Sequence, residues 1–132
     1  KVIDEAYQEF PRYDERLTGK PYRYLYAVAV SNEGEDAFLN ETRLFKHDLG
    51  SGTREVHDFG RGRVPGEFVF VPASETAAED EGWLLGYVVD MNTGTSEFVI
   101  LDAANFTGPP VASIHIPQRI PPGFHGNFIP VG

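Results

Sequence analysis

Every apolar run in this chain is short, and nearly every one is closed off by Gly, Pro, Asn or Asp. Such runs are too brief and too evenly punctuated for helices, where apolar residues recur every three or four positions over ten residues or more. They fall at 22–30, 42–49, 55–59, 67–71, 83–89, 96–101 and 111–116, with a last one at 128–131. Tyr22-Arg23-Tyr24-Leu25-Tyr26 and Val111-Ala112-Ser113-Ile114-His115-Ile116 alternate as half-buried strands do. The pattern predicts an all-β chain.

One turn sequence occurs twice. Asp48-Leu49-Gly50-Ser51-Gly52-Thr53 returns as Asp90-Met91-Asn92-Thr93-Gly94-Thr95, each time between two apolar runs. Gly52 and Gly94 stand where a hairpin turn requires φ > 0. The displacement lies in the 40–45-residue range of a β-propeller blade, so the two segments are expected to be equivalent turns of adjacent blades. Two similar turns in a sandwich would read the same way, and the pattern alone favours the propeller only slightly.

The 132 residues suit one modest domain or part of a larger one, and their aromatic content, ten Phe and six Tyr, calls for a packed core. Lys1 leads straight into patterned sequence, so we expect a chain cut from a longer parent. No run is long enough for a membrane-spanning helix, and no basic-then-apolar signal segment opens the chain. Eleven Lys and Arg against twenty Asp and Glu give a net charge of −9, which disfavours nucleic acid and anionic membrane surfaces as partners. The absence of Cys excludes disulfides and thiolate metal sites, and it fits a cytoplasmic protein. The sequons at Asn40 and Asn105 are read as coincidence, and the stretch 73–81, with Glu75, Glu79, Asp80 and Glu81, as a solvated acidic loop without calcium-loop spacing.

Among motifs that carry chemistry, no phosphate-binding glycine fingerprint, nucleophile elbow or zinc-protease helix is present. Four histidines remain: His47, His57, His115 and His125. His47 beside a turn and His57 in a polar-flanked strand are expected at the surface, and His115 on a solvent side or rim. His125 lies in Pro121-Pro122-Gly123-Phe124-His125-Gly126-Asn127, where glycines on both sides let the backbone bend and approach something closely. Taken alone, it reads as a turn histidine.

Pro121 to Asn127, followed by Phe128-Ile129-Pro130, resembles the C-terminal iron-ligand motif of the carotenoid cleavage oxygenases. Three further segments resemble the same family in the same order. They are Glu9-Phe10-Pro11 with Gly19-Lys20-Pro21-Tyr22-Arg23-Tyr24, then Pro65-Gly66-Glu67-Phe68-Val69-Phe70-Val71-Pro72, then Glu81-Gly82-Trp83-Leu84-Leu85 with Ile100-Leu101-Asp102-Ala103. Phe68 departs from the pattern, which usually has Pro there, and is expected to affect the lead-in to its strand more than the acid beside it.

The resemblance implies the C-terminal blades of a seven-bladed β-propeller carrying Fe(2+) on its axis, held by four histidines. His125 would be the last of the four, with the others outside this chain, so the missing N-terminal part would complete the site. It also implies that Glu67 and Glu9 are carboxylates that accept the far N–H of ligand imidazoles. Glu67 would serve His125, and Glu9 a histidine of an absent blade. Imidazole suits iron, and a carboxylate on the opposite ring nitrogen fixes the tautomer that leaves a lone pair for the metal. The implied activity is oxidative cleavage of a conjugated C=C bond in a carotenoid, apocarotenoid or stilbene by O₂, giving two carbonyl products. These 132 residues alone are expected to be inactive. Alternatives are a non-catalytic propeller or sandwich binding module, and a double-bond isomerase of the same family.

Overall fold

A computed structural model describes residues 1–32, 34, 39–123 and 125–131. Nine strands and two single-turn 3-10 segments make up the regular structure of these residues, with no α-helix among them. The all-β expectation holds.

The strands form two antiparallel sheets. In the first, β1 (Gln8–Arg12), β2 (Tyr24–Ala29), β3 (Arg43–Asp48) and β4 (Thr53–Asp58) lie side by side in chain order. In the second, β5 (Arg63–Pro65) and β6 (Val69–Pro72) both pair with one side of β7 (Gly82–Asp90), followed by β8 (Thr95–Asp102) and β9 (Ala112–Ile116). β5 and β6 together occupy the place of one strand. Pro65 pairs with Val88 and Val69 with Leu85, so three residues on one side face two on the other. That extra residue is a bulge, and Glu67 sits in it.

β1 carries a similar bulge. Glu9 pairs with Val28 and Arg12 with Tyr26, so Phe10 and Pro11 together oppose Ala27. Pro11 has no N–H to give to a ladder, and Phe10 takes φ of 55°, in the left-handed region that a residue of its size rarely visits. Bulges bend a strand and re-aim its side chains, and they are common beside functional sites. The first strand of each sheet is thus broken at or beside a candidate site residue, Glu67 within one bulge and Glu9 next to the other.

The core fills the space between the sheets. Tyr26, Val28 and Leu44 of the first meet Phe68, Phe70, Leu84, Val88, Val99 and Leu101 of the second, with Phe59 and Phe106 closing the cluster. Tyr26 and Phe70 stack with ring centroids 5.8 Å apart. Strand alternation produces this arrangement: Leu84, Gly86 and Val88 are buried on the core face of β7, while Trp83 and Tyr87 stay exposed on the other. Removing any of the large core side chains would cost about 2–5 kcal/mol.

Four sequence expectations are corrected. The run 128–131 is not a strand: no described residue pairs with it, Pro130 lacks a donor, and Ile129 and Val131 are exposed. β1 and β5 were not foreseen, because short polar strands interrupted by Pro and Gly lack an alternating signature. His47 and His57 are buried. Nε2–H of His47 donates to Oε1 of Gln8 at 2.6 Å, and Nδ1–H of His57 donates to the carbonyl of Phe106 at 2.8 Å, so each buried ring has a partner for one nitrogen. His115, as expected, is exposed.

The fourth concerns the repeated turn. The two copies are alike in detail. Gly52 and Gly94 have φ of 72° and 68°, and their N–H groups donate to the carbonyls of Asp48 and Asp90 at 2.8 and 2.9 Å. Each Asp also accepts from the backbone two residues on, at Gly50 and Asn92. Yet the first turn joins the third and fourth strands of its sheet, and the second joins β7 to β8, the second and third positions of theirs. The displacement in sequence therefore reflects a shared local solution to hairpin closure, not a repeat of the sheet as a unit.

Candidate metal-ligand site

The bulge between β5 and β6 starts at Gly66, whose N–H still bonds to the carbonyl of Tyr87 at 2.9 Å. Glu67 follows, outside the ladder, with its side chain only 4% exposed. The last residues of the chain are led back to it. After β9, the N–H of Ile120 donates to Oγ of the fully buried Ser96 at 2.8 Å, pinning the tail against β8. From there the Pro-Pro-Gly stretch carries the chain to His125; Phe124 of this motif lies outside the described residues.

Glu67 and His125 meet across 58 positions of sequence. Nδ1–H of His125 donates to Oε2 of Glu67 at 3.2 Å, and the next residue, Gly126, donates its backbone N–H to Oε1 at 2.8 Å. The carboxylate thus holds the side chain of one residue and the backbone of its neighbour. Nε2 of His125 has no hydrogen-bond partner among the described residues. The ring is also braced by Phe10, whose own ring meets it edge-on at a centroid distance of 5.5 Å.

Arg12 completes the cluster, and nothing in the sequence pointed to it. Its Nη1 donates to Oε1 of Glu67 at 3.1 Å and to the carbonyl of Gly126 at 3.0 Å. Its Nη2 donates to Oδ1 of Asn127 at 3.0 Å and to Oε1 of Glu15 at 2.8 Å. The signal that could have found it is the Phe10-Pro11 break in β1, which marks a bulge and hence a re-aimed residue after it.

Glu9 does not join this group. It pairs with Val28 in the ladder, is exposed, and has no side-chain partner among the described residues. Nor do His47, His57 and His115 approach His125: among the described residues, no three His, Cys, Asp or Glu side chains are placed to hold a metal ion together. The donor set here is one imidazole, its Nδ1 engaged and its Nε2 available. That suits one ligand position for a transition metal.

A cavity of about 480 Å³ opens in front of the ring. Phe10, Val28, Val64, Tyr87, Val89 and Ile120 give it a mostly apolar wall, with Glu67 and His125 among its few polar groups. Its size and lining suit a small apolar molecule.

The sequence profile of the retinal pigment epithelial membrane protein family matches residues 1–130. The chain belongs to this family, that of the carotenoid cleavage oxygenases. A carotenoid cleavage oxygenase of Mycobacterium tuberculosis is 38% identical over 130 residues, covering 96% of this chain and 25% of the relative. Carotenoid 9,10(9',10')-cleavage dioxygenase 1 of Arabidopsis thaliana is 34% identical over 142 residues, covering 98% of the chain and 25% of the relative. The chain thus spans about a quarter of the length of these family members.

Solved structures of the family agree. Cobalt-substituted apocarotenoid oxygenase of Synechocystis superposes with a TM-score of 0.88 at 33% identity, over 99% of this chain and 27% of that one. Lignostilbene dioxygenase of Pseudomonas brassicacearum superposes at 0.86 with 26% identity, over 95% and 28%.

Proposed function

We propose that this chain supplies the last blades of a seven-bladed β-propeller in a ferrous-iron dioxygenase that cleaves a conjugated C=C bond into two carbonyl products. The observation that carries the reading is the Glu67–His125 pair at the mouth of an apolar cavity, in a chain similar to carotenoid, apocarotenoid and lignostilbene oxygenases.

His125 would hold the iron through Nε2. Glu67, by accepting the Nδ1–H, keeps the ring in the tautomer whose lone pair faces the metal and prevents the ring from turning. Glu9, on the broken strand of the other sheet, would do the same for a histidine outside this chain. Iron, when bound, supplies the activation of O₂ for the cleavage. The apolar wall binds the polyene or stilbene by area and keeps water from the reacting bond. In the balanced reaction the C=C bond is lost and each carbon leaves as a carbonyl, so one O₂ is consumed per alkene.

The test uses the full-length protein, loaded with ferrous iron and offered carotenoids, apocarotenoids and hydroxystilbenes under ¹⁸O₂. Labelled aldehydes or ketones in matched pairs, dependent on iron, are the expected result. A geometric isomer of the substrate with no O₂ consumed would convert the reading to an isomerase. No turnover and no bound iron would leave a binding module. Iron-dependent turnover by residues 1–132 alone would overturn the assignment of three further ligands to other blades.

A further inference from the structure

We propose that Arg12 is a positioning residue for the metal ligand, acting on His125 through Glu67 and Gly126. The inference rests on the role proposed above for His125 and extends it to a residue that touches neither metal nor substrate.

Three observations carry it. The first is the bonding. Oε1 of Glu67 accepts from both Arg12 and Gly126, while Oε2 accepts from His125. Arg12 therefore holds the same carboxylate that holds the ring. It also grips the chain on the far side of the ring, through the carbonyl of Gly126 and the side chain of Asn127. Among the described residues, the segment that carries His125 has no strand partner, so these bonds supply what a ladder would.

The second is burial. The side chains of Arg12 and Glu67 are 15% and 4% exposed, so this is no loose surface pair. A carboxylate so enclosed needs donors on both oxygens, and hydrogen bonds to a charged group are shorter and stronger than neutral ones. The third is shape. Two nitrogens of one planar fork reach four acceptors on three different stretches of chain. A lysine ammonium, a point charge on a flexible stem, cannot span them together.

The bulge in β1 explains how position 12 comes to serve. One extra residue in a strand changes which face the following side chains present. Phe10 and Arg12 both reach the His125 segment, the first through its ring edge and the second through its guanidinium. The left-handed φ of Phe10 is the kind of backbone strain that persists where surrounding structure holds it and that gathers at functional sites.

The experiment compares Arg12→Lys and Arg12→Ala with the unaltered full-length protein, using two readouts besides turnover. In the metal-free protein, amide hydrogen exchange at Gly126 reports the clamp itself. Cobalt(II) titration, followed by its visible ligand-field bands, reports the geometry offered to a metal. Arg12→Lys keeps the charge beside Glu67 and should melt close to the unaltered protein. It should nonetheless exchange Gly126 at least tenfold faster and bind cobalt about tenfold more weakly, with shifted bands. Arg12→Ala should show the same changes more strongly. Unchanged Gly126 exchange in folded Arg12→Lys overturns the clamp. Faster exchange with unaltered cobalt affinity and bands overturns the positioning role. If the unaltered protein binds neither cobalt nor iron, the metal reading of His125 fails, while the exchange data still decide whether Arg12 holds the segment.

Discussion

The ring of Phe68 lies directly over the bare Cα of Gly86 on the neighbouring strand. A Cβ at Gly86 would fall 2.5 Å from that ring, well inside contact distance. Phe68 is 2% exposed and stacks on Phe59 at 5.6 Å, so the residue that departs from the family's usual Pro is part of the core and not only the lead-in to a strand. Glycine costs a strand some stability, and here the missing side chain makes room for a large one.

Gly86→Ala should therefore destabilise, although alanine ordinarily improves on glycine. The ring must move out of a filled core, and overpacking of this kind costs about 1–3 kcal/mol. Phe68→Pro combined with Gly86→Ala should lose less than the two single changes added together, because the clash disappears with the ring. Thermal or urea melts of the full-length protein measure both. Additive losses would mean that the two positions do not oppose each other.

A second expectation concerns acid. Burial pushes the His47 imidazole below its usual range; nearby Asp4 pulls it up in part, and Arg54 pushes it down again. A histidine that resists protonation when folded lets the unfolded chain take the proton first. Stability should then be level above about pH 6.5 and fall as pH drops below it, where the unfolded state binds more protons. His47→Gln should flatten that slope just below about pH 6.5. The carboxylates held low by partners, Asp4, Asp48 and Asp58, act only below about pH 4, so the two windows separate. An unchanged slope in the variant would remove His47 as the cause.

The repeated turns offer a third. Gly52 and Gly94 both sit in the left-handed region with open space where a Cβ would go, so replacement meets strain but no clash. Each Gly→Ala change should cost on the order of 1 kcal/mol. The turns belong to different sheets and share no hydrogen-bond partner, so the losses should add. Denaturant midpoints for the two single variants and the double variant decide it.

How far the residues disclosed their structure follows from what each feature depends on. The seven longer runs carried alternation or unbroken apolar character, and all seven coincide with strands, because side-chain period is written directly in sequence. Bulges are not. The breaks at Phe10-Pro11 and at Gly66-Glu67-Phe68 depend on pairing across the sheet, and the partner strand's register is a tertiary fact. The same holds for His47 and His57. Both sit beside an Asp in short, polar-flanked strands, and what covers them includes a Gln8 side chain and a Phe106 carbonyl from distant segments. Glu67 and His125 were legible only through the motifs around them. Arg12 was illegible for the same reason as the bulges: an arginine after Phe-Pro reads as surface until its four acceptors are seen.

The last expectation follows from the donors around Glu67. Its Oε1 faces two N–H groups, from Arg12 and Gly126, and its Oε2 faces one, from His125. A glutamine at this position has the same shape but only one oxygen. That oxygen should stay with the two donors, which turns the amide NH₂ toward Nδ1 of His125. Two donors cannot face each other, so Nδ1 must become the acceptor, and the ring proton moves to Nε2. An imidazole protonated at Nε2 has no lone pair there for a metal. Glu67→Gln should thus weaken iron binding by about 10–100-fold in the full-length protein while the fold survives. Nitrogen NMR of the metal-free variant should show the tautomer reversed at His125. His125→Ala should abolish turnover altogether. If Glu67→Gln binds iron normally and keeps the original tautomer, the carboxylate does not set the ring. Full activity in His125→Ala would remove the ligand assignment itself.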